Sequence, residues 1–452
     1  MSGSPAVPGS FGAFVARAHR AGALVVQPRM GMSSPATMRA GLLATRAAAA
    51  TTVGTITLDS YTRVGEDAKA RAALDTCADL NGYPIVAHGA ETTKAVLGAV
   101  AGEDFPVQVR HGSPCPQNIF AALIDAGLHA TEGGPVSYCL PYSRAPLDAS
   151  IRNWIECCEL LAALRGPDVE PHLESFGGCM LGQLCPPSLL IAMSVLECMF
   201  FRQHGLHSVS LSYAQQTNEE QDLEALLVLR RLAGELLADL DWHIVVYTYM
   251  GVYPRTAFGA TSLLEQSARL AVRSGASRLI VKTIAEAHRI PTIEDNIGAL
   301  ETAAAAAVLA PPPGLVADTG LYEEARTLID AVLELSPDLG RALAAAFRLG
   351  YLDVPFCLHP DNAGRARSLL DDAGRLRWSR TGSMPIRPAA RVGRHVELTA
   401  TSLLSSLSFV ERRFDDAGLT AQYPAATAGP TPTAASAAGH PLDNALEYKG
   451  AK

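Results

Sequence analysis

Short apolar runs of the β type recur along the chain, and most are separated by segments rich in Ala, Leu and Arg at helical spacing. This rhythm predicts a parallel sheet covered by helices. We expect an α/β fold, a (β/α)8 TIM barrel with additional flanking C-terminal helices. Nine runs qualify as strands, centred on 24–28, 52–57, 83–87, 106–110, 127–131, 170–175, 207–213, 243–249 and 278–282. A closed barrel of this class has eight strands, so one run is wrong or lies outside it, and the sequence does not say which.

Changes in this rhythm divide the chain. Residues 1–20 form an N-terminal segment and residues 21–310 the barrel. The PPPG sequence at 311–314 ends the rhythm and begins a C-terminal flanking or capping region, 311–423. Within it, residues 320–356 are predicted to form helices that flank or cap the barrel rather than new strands. Residues 424–452 are low in bulky apolar side chains and rich in Ala, Pro and Thr, so we expect a disordered tail.

Charge and cysteine content exclude several classes of protein. The formal net charge of -8 and the pI near 5.9 argue against nucleic acid as the main partner, because phosphate binding needs a basic face. No apolar stretch of about 18 residues is free of charged and turn residues, and the start lacks a signal-peptide pattern, so we expect a cytoplasmic protein without a membrane span. The nine cysteines include no Cys-x-x-Cys, so neither a zinc ribbon nor an iron–sulfur motif is indicated.

Polar residues follow the predicted strands at the end where a (β/α) barrel builds its active site. Arg29, Arg63 and Arg110 stand at or just past the carboxyl ends of three runs. Each planar guanidinium can hold a carboxylate through two hydrogen bonds, so the three together predict a small diacid substrate. Glu132 would then accept the ammonium group of an acidic amino acid. Taken singly, each arginine is equally well explained as a salt-bridge residue. We expect the same end of the barrel to carry Glu174, Tyr213, Tyr249 and Lys282.

The chain also contains the motifs QPR (27–29), DSYTR (59–63), QVRHGSP (108–114), EGGPVSYCLPY (132–142), FGGCMLGQLCPPS (176–188), VKTIAEAHRIPT (281–292) and YLDVPFCLHPDNAG (351–364). In order and approximate spacing they resemble the large (epsilon) chain of glutamate mutase, also called methylaspartate mutase. The resemblance extends from about residue 14 to about residue 388. It implies the catalytic chain of an adenosylcobalamin-dependent isomerase that interconverts L-glutamate and threo-3-methyl-L-aspartate by a radical rearrangement of the carbon skeleton.

The resemblance also implies roles for single residues. The family's substrate-binding residues correspond to Arg29, Arg63, Arg110, Glu132, Tyr138 and Tyr142. The arginines would hold the substrate carboxylates, the glutamate would lie near the amine, and the tyrosines would line the pocket. Catalytic roles are implied for Glu132 and Tyr142. Without the resemblance, amphipathic residues of the barrel rim would be an alternative interpretation of the two tyrosines.

Three further residues match positions on the coenzyme side of the family. Lys282 and Glu286 match a lysine and a glutamate that bind the ribose of the adenosyl group, and Phe176 matches an aromatic residue facing the coenzyme. Hydroxyl groups of a ribose suit an ammonium donor and a carboxylate acceptor. Without the resemblance, Lys282 and Glu286 would be interpreted as an i,i+4 surface ion pair.

Members of this family bind the corrin ring through a separate small chain, whose Asp-x-His-x-x-Gly loop supplies a histidine to cobalt. No such motif occurs in this sequence. The resemblance therefore implies a small cobalamin-binding (sigma) partner chain and a homodimer of this chain within a heterotetramer. The departures from the family pattern include Leu173, which replaces a usual arginine, and the segment YTYMGVYP (247–254), which lacks an expected histidine and tryptophan.

Two other functions remain open from the sequence. A metal-dependent barrel hydrolase or aldolase acting on a small diacid could use the candidate ligands His88, His111, Glu132 and Glu174. Against it, the sequence has no His-x-His pair, and the arginines would oppose a cation, so we expect no metal. The second is a non-catalytic barrel scaffold that binds a cobalamin chain, although such a scaffold would not need three strand-end arginines.

Overall fold

A computed structural model of the chain describes residues 10–98, 100–180, 184–312, 314, 316–387 and 399–422. Eight parallel strands form one sheet: β1 (Val25–Gln27), β2 (Gly54–Thr57), β3 (Val107–Arg110), β4 (Ala130–Gly133), β5 (His172–Ser175), β6 (Ser208–Ala214), β7 (Asp241–Tyr247) and β8 (Arg278–Ile280). Their order is β1-β8-β7-β6-β5-β4-β3-β2. The barrel closes between β1 and β2 through a parallel bridge from Val26 to Thr52. The predicted (β/α)8 barrel is therefore confirmed.

Helices cover the outside of the barrel and occupy most of the connections between strands. Those in the described ranges are α1 (Phe11–Arg20), α2 (Pro35–Ala47), α3 (Ser60–Arg63), α4 (Asp67–Asp75), α5 (Ile85–His88), α6 (Ala90–Leu97), α7 (Gln117–Asp125), α8 (Leu147–Ala162), α9 (Pro187–Gln203), α10 (Glu219–Leu236), α11 (Ala257–Ser274), α12 (Ile293–Val308), α13 (Leu321–Leu333), α14 (Leu339–Leu349), α15 (Ala400–Leu407) and α16 (Phe409–Gln422). None of them combines the length and apolar character needed to cross a membrane.

Capping residues explain where several helices begin and end. Ser34 accepts a hydrogen bond from the backbone N–H of Thr37 at the start of α2, and Thr256 caps α11 in the same way. Helix α11 ends at Gly275, whose φ of 72° lies in the left-handed region that favours glycine. The short connections therefore reverse the chain sharply and return it to the next strand.

The prediction of a strand at 83–87 is wrong, and this run is the one candidate in excess of eight. Tyr83 forms only an isolated parallel bridge with Leu58, and the chain then turns into the short helix α5. Proline has no backbone N–H to donate, so Pro84 cannot extend a ladder beyond this bridge. Tyr83 and Ile85 are buried, which is why the segment has the apolar character of a strand.

The flanking helices predicted for 320–356 are confirmed, but the C-terminal region also contains a hairpin that the sequence did not predict. Helices α13 and α14 pack on the barrel side, but β9 (Arg367–Leu370) and β10 (Leu376–Arg380) form an antiparallel hairpin. The turn between them includes Gly374 at a φ of 76°. The indole of Trp378 anchors the hairpin by donating to Ser188 on α9, at 3.0 Å. The predicted disordered tail, 424–452, lies outside the described residues.

Helix α1 closes the amino end of the barrel. The ring of Phe11 stacks on His172 with 5.0 Å between ring centroids, and the guanidinium of Arg278 lies 5.0 Å from the centre of the Phe11 ring. A Cβ atom at Gly12 would lie 2.4 Å from the Ser208 hydroxyl, so the helix needs glycine to approach this closely. Access to the interior is therefore expected from the carboxyl ends of the strands.

A polar layer, rather than the usual branched apolar one, fills the middle of the barrel. Its centre is the fully buried Arg278, which forms an ion pair with the equally buried Glu174. All five N–H donors of the guanidinium have an acceptor within reach. The acceptors belong to Gln27, Gln108, Glu174, Ser210 and His243. Burial alone would raise the pKa of Glu174, but Arg278 and a hydrogen bond from Tyr247 outweigh it and lower the pKa.

Removing the cation of this layer is expected to destabilise the whole barrel. In Arg278→Met, the buried Glu174 carboxylate loses its ion-pair partner, and the free energy of unfolding should fall by about 3–5 kcal/mol. Lys94→Met is the matched control, because it removes an exposed lysine paired with Glu91 and should cost about 0–1 kcal/mol. Urea denaturation measures both. Equal losses in the two variants would contradict the structural role of the buried pair.

Candidate active site

A buried cluster of charged and phenolic side chains lies at the carboxyl ends of β3, β4 and β7. Arg110 donates from Nε to Glu132 Oε2 at 2.8 Å, and both side chains are almost fully buried. The hydroxyl of Tyr247 lies 2.8 Å from Glu132 Oε2 and also bonds to Glu174, so its single proton serves one carboxylate at a time. Tyr138 donates a very short hydrogen bond to the other oxygen, Oε1. Arg110, Tyr138 and Tyr247 thus surround a carboxylate that has about four acceptor positions.

The turn after β4 brings Tyr138 back over Glu132. Gly133 has a φ of 137°, and a Cβ atom there would lie 2.3 Å from the ring of Trp154. The backbone N–H of Tyr138 then donates to the carbonyl of Gly134 at 3.2 Å, which folds the segment into a tight turn. The EGGPVSY sequence therefore places a carboxylate and a phenol six residues apart in direct contact.

The protonation states of this cluster follow from burial and charge. Burial opposes the charged form of Arg110, but Glu132 and Tyr247 raise the pKa of the guanidinium well above its ordinary value. Burial also raises the pKa values of Tyr138 and Tyr247 well above the usual range. At neutral pH the cluster therefore presents one arginine cation and two neutral phenols.

His111 is a further polar residue at this site. Burial, together with the nearby Arg63 and Arg110 cations, lowers the pKa of its imidazole to about 3, so the ring is neutral. Its Nδ1 accepts from the backbone N–H of Ser113 at 3.2 Å, which leaves the hydrogen on Nε2. Nε2 is buried, and a hydrogen-bond interaction with the backbone of Glu132 acts against this lowering of the pKa. His111 is thus a neutral ring beside Arg110.

Arg63 ends helix α3, directly beside this cluster. Asp59 caps the helix by accepting from the backbone N–H groups of Tyr61 and Thr62, at 2.9 and 3.1 Å. The Arg63 guanidinium lies against Gly112, where an added Cβ atom would be 3.7 Å from Nη1. Within the part of the chain that the structure describes, Arg63 has no hydrogen-bond or ion-pair partner, although it is half-buried.

A second cluster at the same end joins residues that the sequence assigned to different ligands. Glu286 Oε2 lies 3.2 Å from Arg29 Nη1 and 3.5 Å from Lys282 Nζ. Lys282 also lies over the ring of Tyr253, 4.3 Å from its centroid. Burial lowers the pKa of Lys282 to about 8, although Glu286 acts in the opposite direction. Arg29 and Lys282 therefore share one carboxylate.

Aromatic side chains form one wall of the first cluster. Phe176 lies 5.0 Å from the ring of Tyr138 and 5.6 Å from that of Tyr247. Tyr142 continues the wall outward at 6.0 Å from Tyr138 and is half-exposed. Electrostatic interactions also link Tyr142 to both Arg29 and Arg110. The structure thus gathers the predicted site residues at one end of the barrel, while their individual roles stay predictions.

Two tyrosines expected at the site pack outside its two charged clusters. Tyr213 donates its hydroxyl to Asp222 on the outer helix α10, at 2.9 Å. Tyr249 packs with Tyr253 and Leu263 in a separate apolar cluster. The tyrosine that reaches Glu132 is Tyr247, because β7 ends there and not at residue 249. The Tyr-x-Tyr pattern in IVVYTY indicated that a tyrosine lies at this strand end, but it did not show which of the two tyrosines belongs to the site.

The ligand set of the metal-dependent alternative does not come together. His88 Nε2 lies 2.9 Å from the carbonyl of Ser33, Glu132 is bonded to Arg110, and Glu174 is bonded to Arg278. Over the described ranges, no group of three or more His, Cys, Asp or Glu side chains is arranged to hold a metal ion.

Comparison with known proteins gives a consistent set of relatives. A family model described as methylaspartate mutase E chain matches residues 7–402. A glutamate mutase epsilon subunit from Halobacterium salinarum is 33% identical over 344 residues, which cover 73% of this chain and 71% of that protein. Proteins of the same name from Haloarcula marismortui and Yersinia enterocolitica are 32% and 30% identical, over 71% and 73% of this chain and 68% and 72% of their own.

The shared carboxylate predicts how Lys282 titrates. With [ε-13C]lysine, the chain's five lysines give few NMR signals, and the signal lost in Lys282→Arg is that of Lys282. We expect a midpoint at about pH 8, because burial disfavours the ammonium form. Glu286→Gln should lower the pKa further, since Glu286 favours the charge, whereas Arg29→Met should raise it. The exposed Lys94 is the internal control. A midpoint near the ordinary lysine value of about 10.4 would contradict this site geometry.

Proposed function

The chain belongs to the methylaspartate mutase E chain family, and from this premise we propose that it is the catalytic chain of an enzyme interconverting L-glutamate and threo-3-methyl-L-aspartate. The observation that carries the proposal is the half-buried Arg63, which has no counter-ion among the described residues and lies beside the buried Arg110–Glu132 pair. A guanidinium in this position favours a ligand carboxylate.

The charges at this end of the barrel suit an acidic amino acid. Arg29, Arg63, Arg110 and Lys282 are four cations, and the anions beside them are Glu132 and Glu286. The difference, 4 - 2, is an excess of two positive charges, which favours a ligand with two carboxylates. The deeper Arg278–Glu174 pair cancels itself and does not change this balance.

Separate groups can hold the two ends of such a substrate. Arg110 uses Nε for Glu132 and Nη2 for the Tyr247 hydroxyl, at 3.4 Å, whereas its Nη1 forms no hydrogen bond within the described residues. This nitrogen and Arg63 would hold one carboxylate, and Arg29 would contribute to the other. Glu132 Oε1 accepts only from Tyr138, so it retains a position for the substrate ammonium group. Tyr142 would cover the bound substrate at the rim.

The barrel mouth also fits a coenzyme presented by another chain. Large apolar side chains are exposed in loops that follow the carboxyl ends of β2, β4, β7 and β8. They are Tyr61, Val64, Tyr142, Val252, Ile284 and Ile290. Such a rim favours an apolar partner surface, and the sequence lacks its own cobalt-ligand motif. We therefore assign the corrin ring of adenosylcobalamin to a small cobalamin-binding chain seated on this rim.

Within this chain, Lys282 and Glu286 would hold the ribose of the adenosyl group, and Phe176 would face the coenzyme. When bound, adenosylcobalamin supplies the radical that abstracts hydrogen from the substrate. The protein's own contribution is to fix both carboxylates, keep the phenols of Tyr138 and Tyr247 protonated, and close the far end of the barrel with α1.

Four-component assays test the reaction. The chain is incubated anaerobically with a small cobalamin-binding chain, adenosylcobalamin and L-glutamate, and proton NMR follows the methyl region. We expect a new methyl doublet that disappears when any one component is omitted. No doublet, although the small chain binds, would contradict the mutase proposal and favour the scaffold function or another diacid.

Substrate binding is expected to depend on Arg63 while folding does not. In Arg63→Ala, the dissociation constant of L-glutamate should rise by at least about 30-fold, corresponding to about 2 kcal/mol or more for a lost charge pair. The free energy of unfolding should change by less than about 0.5 kcal/mol, because no partner in the described chain is lost. Arg71→Ala, on the exposed face of α4, is the matched control. Calorimetric binding that is unchanged in Arg63→Ala would remove Arg63 from the site.

A further inference from the structure

A buried carboxylate outside the barrel lumen contacts the segments that carry the site. Glu197 lies on α9 and is fully buried, yet it has no arginine or lysine partner in the described chain. Its Oε1 accepts from the backbone N–H groups of Val136 and Ser137 at 3.2 and 2.9 Å. Its Oε2 accepts from the hydroxyls of Ser137 and Ser175, both at 2.9 Å. One side chain therefore joins the turn after β4 to the end of β5.

The turn after β4 is shaped around this carboxylate. A Cβ atom at Gly134 would lie 2.1 Å from Glu197 Oε1, so glycine is required for the approach. Tyr138, the next residue after Ser137, contacts Glu132, and Ser175 lies between Glu174 and Phe176 in sequence. The Ser175 hydroxyl also accepts from the backbone N–H of Gly177 at 3.0 Å. Displacing Glu197 would therefore move both the Tyr138 side and the Phe176 side of the site.

From this geometry we propose that Glu197 is a positioning residue. It sets Tyr138 over Glu132, and Phe176 beside them, by holding the turn after β4 and the end of β5 together. The inference rests on the proposed function for its effect on turnover. Glu197 itself is not expected to touch the substrate, since it lies on the outer helix layer and its contacts run through Ser137 and Ser175.

The ionisation of Glu197 should appear in the pH dependence of turnover, which a purely structural role would leave unchanged. Burial raises its pKa to about 7, although its four hydrogen bonds act in the opposite direction. The titratable groups around it are Cys158 of α8, Cys198 of α9, Tyr138 of the turn and Glu174 of β5, and burial raises the pKa of both thiols. The ionised form accepts all four bonds. A proton on Oε2 would force one serine hydroxyl to reverse its hydrogen bond.

Two substitutions separate these effects. Glu197→Gln can keep both backbone hydrogen bonds through its amide oxygen, while its NH2 group mimics the protonated acid. Glu197→Ala removes all four bonds. Asp222→Asn is the matched control, because Asp222 is also a buried acid with a pKa raised by burial to about 7, but it holds Tyr213 and Gln216 on the β6 side.

The test combines the pH profile of kcat/KM in the reconstituted enzyme with hydrogen exchange of the chain. In the wild type, kcat/KM should rise as Glu197 ionises, with a midpoint near pH 7. In Glu197→Gln this rise in kcat/KM should be absent, and kcat/KM at pH 8 should be at least about tenfold lower than in the wild type. The reason is that displaced Tyr138 and Phe176 side chains no longer orient the substrate. Asp222→Asn should keep the rise. An unchanged profile in Glu197→Gln, or loss of the rise in Asp222→Asn as well, would overturn the proposal.

Hydrogen exchange tests the same contact without any turnover. In Glu197→Ala, the amides of Val136 and Ser137 should exchange at least about tenfold faster, while the amides of α11 stay protected. Unchanged exchange at Val136 and Ser137 would refute the positioning role of Glu197. If Glu197→Ala exposes these amides but the wild type catalyses no mutase reaction, the proposed function is refuted while the positioning role stays supported, so the two failures are distinguishable.

Discussion

The buried guanidinium of Arg278 is the interaction on which the barrel interior depends. Its five donors meet five acceptors from different parts of the barrel wall, and one of these acceptors is the fully buried Glu174. The hydroxyl of Tyr247 contacts both Glu174 and Glu132, and Glu132 pairs with Arg110. A hydroxyl has a single proton to donate, so Tyr247 couples the two carboxylates. The polar layer in the middle of the barrel and the candidate site therefore form one hydrogen-bonded network.

This network explains how a polar site can exist inside a stable barrel. The carboxylates of Glu132 and Glu174 are costly to bury, and each is compensated by an arginine and by neutral donors. Arg63 remains outside this pairing, and Arg29 shares Glu286 with Lys282. Positive charge is therefore left at the mouth, where a ligand can approach, and not in the interior. Glu197 supports the same arrangement from the outer layer, through the turn after β4 and the end of β5.

The sequence predicted the architecture well because strand and helix periodicities are local. It failed where a single residue or a distant contact decides the outcome: Pro84 ends a buried apolar run that is not a strand, and the chain reverses at Gly374 into an unexpected hairpin. The strand-end arginines were visible in the sequence, and the structure places them at one end of the barrel. Tyr247, Arg278 and Glu197 were not found, since their importance comes from partners 22 to 251 positions away.

The central claim is that this charge arrangement holds a dicarboxylate amino acid at the barrel mouth. The most direct measurement is a crystal structure of the chain with L-glutamate. We expect one carboxylate on Arg63 and Arg110, the other carboxylate near Arg29, and the ammonium group within hydrogen-bonding distance of Glu132. A ligand bound elsewhere, or held with its ammonium group against the arginines, would contradict it, as would an empty mouth at saturating glutamate.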